Sequence, residues 1–379
     1  MNKEATVTVA GGETLLEKAR KLAVEFDGRA ADHDAGDSFV AENYVRLEDE
    51  GLLAAGVPVE LGGGGAEVRQ LAEMLRELGH GCGSTALALA MHTHLVATPA
   101  WRWRHQPAVR AAVEPVLKRV AGGAVLVTSG GSDWIGSSGK AEKVEGGYRI
   151  TAHKAFASGS PVGTLFMSSA ICGDKIIHFG VPFDAPEVQR LDTWRTLGMR
   201  GTGSGDVLID DLFLADDKVA LARPAAEWHP LWQIIATMAM PLIYAVYLGI
   251  AEEMRNIAVA MMAKRESAWR NRRLIGEIDS ALWSARASHE AMIAVVERNA
   301  PSAESINDVM FGRRAVEADV LLTAELVMEA AGGPGFYRKA GLERRFRDIQ
   351  GARYHPMRRE VQQTYAGAMA LGESVAKIY

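Results

Sequence analysis

Few side chains in this sequence can exchange a proton near neutral pH, and one of them stands beside a residue that never can. His355 precedes Pro356, and imidazole titrates near neutrality whereas a proline side chain neither gives nor takes a proton. Two further histidines, His92 and His94, follow the apolar run Ala86-Leu87-Ala88-Leu89-Ala90-Met91. A spacing of two on a helix sends them to different faces, so a shared metal is not expected and both read as ordinary core or surface histidines. Cys82 and Cys172 lie far apart, fit neither a disulfide framework nor a metal-ligand spacing, and point to a reducing, cytoplasmic setting. Ser158-Gly159 reads by itself as a turn between strands, and Arg270-Asn271-Arg272-Arg273 as a solvated charge run.

The elements that must position these residues change character twice. The 379 residues are too many for one simple core. From Leu15 to about Val120 apolar residues recur at helical spacing, as in Leu15-Leu16, Ala19, Leu22-Ala23 and Phe26. From Ala124 the pattern turns to short alternating runs, among them Tyr148-Arg149-Ile150-Thr151, Lys175-Ile176-Ile177-His178-Phe179 and Val207-Leu208-Ile209, punctuated by Gly, Asp and Pro. Helical spacing returns near Trp228 and continues to Tyr379. The expected division is a helical domain over 1–123, a β domain over 124–220 and a helical bundle over 228–379. Leu231 to Ala251 is long and apolar enough to imitate a membrane span, but Pro241 lies mid-run and Glu252, Glu253 and Arg255 follow. It reads as a helix buried on all sides, covered by neighbouring helices and in part by another subunit, with no membrane involved. A formal charge of −5 gives no general attraction to nucleic acid.

Five stretches, in order, carry a resemblance to acyl-CoA dehydrogenases that spans nearly the whole chain. They are Gly56-Val57-Pro58-Val59-Glu60-Leu61-Gly62-Gly63, then Gly131-Ser132-Asp133, then Leu197-Gly198-Met199-Arg200-Gly201-Thr202-Gly203-Ser204. Gly332-Gly333-Pro334-Gly335-Phe336 follows, and last the block from Leu342-Glu343-Arg344-Arg345-Phe346-Arg347-Asp348 to Glu360-Val361-Gln362. The resemblance implies an α+β fold: a helical N-terminal domain, a central β-barrel-like domain and a C-terminal four-helix bundle. It also implies a flavin, FAD by default with FMN as the alternative. Thr128, Ser132 and Ser158 are the hydroxyls placed for the flavin's polar edges, Phe156 covers a ring face, and Ser158 meets N5. Arg265 and the bare N–H groups of Gly332 and Gly333 are placed for the pyrophosphate.

The same alignment removes the family's chemistry. Its catalytic glutamate falls on Pro356, the second known base position on Ala239, and the acyl-CoA anchors on Thr237 and Met240. A sister branch, the two-component flavin monooxygenases, carries a histidine seven residues after the Arg-Asp pair and a Ser-Gly at the N5 strand. His355 and Ser158-Gly159 fit both. The expectation is a flavin-dependent oxidoreductase, monooxygenase-like, using reduced flavin and O2 on a small molecule with His355 and Ser158 as candidate catalytic residues. The resemblance further implies a separate flavin reductase and a homotetramer or homodimer. The competing readings are a divergent dehydrogenase with its base moved to Glu227 or Glu360, and a non-catalytic flavoprotein binding DNA or protein through Arg344-Arg345-Phe346-Arg347 and Arg358-Arg359. The plain alternative for His355 is a cap to the last helix, with Pro356 in its first turn.

Overall fold

The computed structural model describes residues 13–133, 136–225, 227–263 and 272–378, with the backbone alone at Ser132. Five helices come first: α1 (Leu15–Ala35), α2 (Ala41–Asp49), α3 (Val68–Gly81), α4 (Gly83–His105) and α5 (Arg110–Ala121). Thr14 starts α1 because its hydroxyl accepts the Glu17 N–H while the Glu17 carboxylate accepts the Thr14 N–H. The inward face is the one the sequence spacing drew, with Ala19, Leu22, Phe26 and Ala30 buried.

A mixed sheet follows, built from β1 (Leu126–Thr128), β2 (Gly139–Val144), β3 (Gly147–Lys154), β4 (Leu165–Cys172), β5 (Lys175–Pro182), β6 (Val188–Arg190), β7 (Val207–Ala215) and β8 (Leu221–Pro224). Its order is β6-β7-β3-β2-β4-β5-β8, with β1 lying parallel to β4. The chain then returns to helices: α6 (Pro230–Ala263), α7 (Arg272–Glu297), α8 (Ala303–Ala331), α9 (Leu342–Ile349) and α10 (Arg359–Leu371).

α6 is the axis of the molecule. A Cβ on Gly79 would lie 2.7 Å from the Val246 carbonyl, and one on Gly249 would strike the Arg76 carbonyl, so α3 and α6 touch backbone to backbone. The apolar stretch of α6 is 94% buried inside the chain itself. The expected cover by neighbouring helices is present: α3, α4, α7 and α8 pack on it.

Candidate active site

α9 ends in a tight turn over Gln350–Tyr354, and His355, Pro356 and Met357 lead from it to α10. α10 begins at Arg359 with Arg358 at its cap, so neither His355 nor Pro356 belongs to its first turn and the helix-cap alternative fails. Three side chains clamp the link from beneath. Tyr244 Oη donates to the Ala352 carbonyl at 2.7 Å, Arg313 Nη2 donates to the His355 carbonyl at 2.7 Å, and Tyr247 Oη lies 2.7 Å from His355 Nε2. Both tyrosines are fully buried on α6, and Arg313 on α8 is balanced by Glu317 one turn later. Burial, then the Arg313 guanidinium, then His94 push the His355 imidazole down to about 3. Burial also holds the Tyr247 phenol well above its ordinary value. The pair is neutral across the physiological range.

His92 and His94 part as the helical spacing requires. The Nδ1 of His92 accepts the Leu126 N–H at 3.0 Å, so its proton sits on Nε2 and is donated to the Leu53 carbonyl at 2.9 Å. His92 is a strut that ties β1 to the helices. His94, buried, uses Nδ1 on the Ala90 carbonyl at 3.2 Å, and its influence on His355 places it within electrostatic reach of that ring. Burial lowers it to about 4. Sequence spacing separated the two histidines without saying which one would face His355.

Gly131-Ser132-Asp133 forms a short turn after β1, and Asp133 pins it. The buried Lys154 ammonium reaches Asp133 Oδ2 at 2.8 Å and Ser137 Oγ at 3.0 Å, while the Ser138 N–H donates to Asp133 Oδ1 at 3.0 Å. Burial opposes ionisation of Asp133, but Lys154 outweighs it and the carboxyl stays below its usual range. The Gly130 N–H bonds the Ala155 carbonyl, bringing the turn against Phe156. Phe156 has φ +59° and is 58% exposed, its ring edge-on to Trp194 with centroids 6.0 Å apart. A large apolar ring left uncovered at a strand end, above glycines with no side chain, suits a flat aromatic ligand. Two residues on, Ser158 Oγ lies 2.7 Å from Ser204 Oγ, which lies 2.7 Å from Thr202 Oγ1, which donates to the Met199 carbonyl. The Met199 N–H in turn bonds Asp348 of α9, so this chain of hydroxyls ends on the helix that carries the His355 turn.

Neighbouring contacts link these segments stepwise: Pro356, next to His355, packs on Gly131, Gly130 packs on Phe156, and the Ser158 N–H bonds the Phe156 carbonyl. Other expected contacts differ. The Thr128 hydroxyl donates to the Met167 carbonyl inside the sheet. Gly332 and Gly333 are exposed at the end of α8, and Gly332 is not bare, since its N–H caps α8 on the Met328 carbonyl. The Ser132 side chain and Arg265 lie outside the described residues. Tyr247, Tyr244 and Arg313 were not singled out by the sequence.

No carboxylate among the described residues takes the place of the lost base. Two buried carboxylates lie near the turn: Glu317 is paired with both Arg313 and Arg314, and Asp348 accepts the Met199 N–H beside Arg344, whereas Glu227 and Glu360 are exposed. Thr237, Ala239 and Met240 are buried in the helical bundle. The basic run is also committed: Arg344 and Arg345 pair with Asp27, and Arg347 with Asp34 and Glu343. That leaves no free cationic face on α9 for a polyanion.

Residues 12–106 match the family described as acyl-CoA dehydrogenase, N-terminal domain. The chain is 26% identical to the amino sugar nitrososynthase DnmZ of Streptomyces peucetius, over 95% of this chain and 94% of that one. It superposes with TM-score 0.86 and 26% identity on KijD3 in complex with FMN and dTDP-3-amino-2,3,6-trideoxy-4-keto-3-methyl-D-glucose, covering 95% and 93% of the two chains. The FMN-bound TdsC of Paenibacillus sp. A11-2 shares the fold, with TM-score 0.82 and 18% identity over 96% and 99%.

Proposed function

We propose that this chain, a flavin-dependent oxidoreductase of the acyl-CoA dehydrogenase superfamily, is a monooxygenase that uses reduced flavin and O2 on a small molecule. The observation that carries this reading is the replacement of a base by a neutral imidazole. Pro356 rests on the flavin-loop glycine, and beside it stands His355, uncharged and held by Tyr247. Removing an α-proton from a thioester needs a strong enough base; the family's carboxylate position is Pro356, and an imidazole held at about 3 is a weak one. Placing an oxygen atom needs groups that hydrogen-bond oxygen and keep water out, which His355, Ser158 and the buried clamp supply.

Gly130, Gly131, Phe156 and Ser158 would hold the isoalloxazine ring, which FAD and FMN share, so the reading admits either cofactor. Bound reduced flavin supplies the two electrons with which one oxygen atom of O2 enters the substrate and the other leaves as water. A separate reductase delivers those electrons. The substrate class to test first is a nucleotide-linked amino sugar, by likeness to DnmZ and KijD3. The test is reconstitution with a flavin reductase, NADH and either flavin under 18O2, with mass spectrometry of the product. Incorporation of one labelled atom supports the reading. Anaerobic reduction of the bound flavin by an acyl-CoA would overturn it.

A further inference from the structure

The hydrogen bond between Tyr247 and His355 has a direction, and the surroundings decide it. Tyr247 Oη is fully buried, and among the described residues its one hydrogen-bond partner is His355 Nε2 at 2.7 Å. If the imidazole donated from Nε2, the phenolic hydrogen would have nowhere to go. A buried donor without an acceptor is costly. If the phenol donates, no fully buried polar atom is orphaned, because His355 is only half-buried and its Nδ1 is not sealed from solvent. A phenol is also the stronger acid of the two, and an imidazole nitrogen the stronger base.

The rest of the cage keeps the arrangement in place. The Gly351 backbone passes so close that a Cβ there would lie 2.7 Å from Tyr247 Oη, which blocks any swing of the phenol toward that side. The Tyr244 ring stands 6.2 Å from the imidazole, and Arg313 holds the His355 carbonyl. The charged or titratable groups facing the ring, Arg313 and His94, both disfavour a second proton on it. His355 therefore carries one proton, and Nδ1 makes no hydrogen bond to any described residue.

We propose that Tyr247 is a positioning residue that donates its phenolic proton to His355 Nε2 and so fixes the Nδ1–H tautomer, making His355 a hydrogen-bond donor rather than a base toward the ligand bound over Gly131. This rests on the reading of His355 as a site residue, but the tautomer itself does not. It narrows the role of His355. Such an imidazole supports a developing oxygen charge through Nδ1–H and does not take a proton from the substrate.

Long-range 1H–15N spectra of 15N-histidine-labelled protein, free of flavin, read the tautomer directly. His355→Asn, lacking the signal, assigns it among the ten histidines. The wild type is expected to show a neutral ring protonated at Nδ1 from pH 5 to 8, and Tyr247→Phe to move the proton largely to Nε2. A wild-type signal protonated at Nε2 overturns the proposal, whatever the enzyme does with oxygen. In turnover, Tyr247→Phe should lower product formed per O2 consumed by about tenfold, the scale of one hydrogen bond, with the substrate KM unchanged. Because the Asn amide reproduces the position of Nδ1–H and the Gln amide that of Nε2, His355→Asn should retain more coupling than His355→Gln. The reverse order also overturns the donor role. Absence of any oxygen transfer together with an Nδ1–H wild type would sink the monooxygenase reading and leave the tautomer standing.

Discussion

Gly131 and Pro356 meet across the gap between the sheet and the helical bundle: a Cβ on Gly131 would strike Pro356 Cγ and lie 3.0 Å from Cδ. Pro356 is thus a packing surface that seats the His355 turn on the Gly131 loop. Gly131→Ala should push the two apart, at about 1–3 kcal/mol of overpacking strain. The expected result is a lower melting temperature and weaker flavin binding, read by fluorescence titration with FMN and with FAD. Unchanged affinity for both would show that the contact does not shape the cofactor site.

Lys154 and Asp133 form the second brace of the same loop. The ammonium is fully buried, so removing it strands a carboxylate that is itself mostly covered. Lys154→Met should cost about 3–5 kcal/mol, and adding Asp133→Asn should recover much of that, because the penalty lies in the unpaired charge rather than in the lost bond. Chemical denaturation of the single and double variants checks it. Equal instability of the two would refute the account.

Some of this was readable in the sequence and some could not be. The apolar run of α6 and the alternation of β5 declare themselves through periodicity. β2 does not, because its inward positions are Gly139 and Ala141, too small to register as an apolar stripe. Ser158 and His355 were found through motif position. Tyr247 was not, since it lies in an apolar helix and its partner is 108 residues away. Pairing at that distance is set by how α6 and the α9 turn pack, which local pattern does not encode. The same holds for His94, whose helical face is legible but whose neighbour is not. The Gly332-Gly333 turn shows the opposite failure: its glycines are explained by a helix end, where Gly332 adopts φ +60°.

Behind Tyr247, α6 is tied to α3 by Glu252, which bonds Arg76 and lies 3.1 Å from His80. Burial opposes protonation of His80, yet Glu252 and Glu77 raise it from 6.5 to about 9. A raised folded value means that the contribution is complete below the unfolded value and is lost as pH rises through the folded one. The melting temperature should therefore fall between pH 6.5 and 9. Glu252 is lowered to about 2, so its share is complete above about 4.5 and is lost as pH falls toward 2. His80→Gln should flatten the alkaline limb and also shorten the acid limb, since the His80 hydrogen bond heads the contacts that lower Glu252 against its burial, while Arg76 and Arg286 keep part of that limb. Persistence of the alkaline fall in that variant would assign it to other groups.

The neutral His355 predicts how the reaction responds to pH and to mutation. With its imidazole held near 3, no charge change at this ring occurs between pH 5 and 8, so the step it serves should be flat over that range. His355→Ala should lower oxygen transfer by about 10²-fold, the scale of one well-placed hydrogen-bonding or proton-transfer group, and release the remaining oxygen as hydrogen peroxide. Folding should survive, because Arg313 grips the backbone carbonyl rather than the side chain and Tyr244 still holds Ala352. Coupling assays that compare product with peroxide across the pH range, alongside circular dichroism, separate these effects. A sigmoidal rise near pH 6.5 in the wild type that disappears in His355→Ala would mean that the imidazole titrates as a base in the working enzyme and is not the neutral group that its cage of Tyr244, Tyr247 and Arg313 enforces.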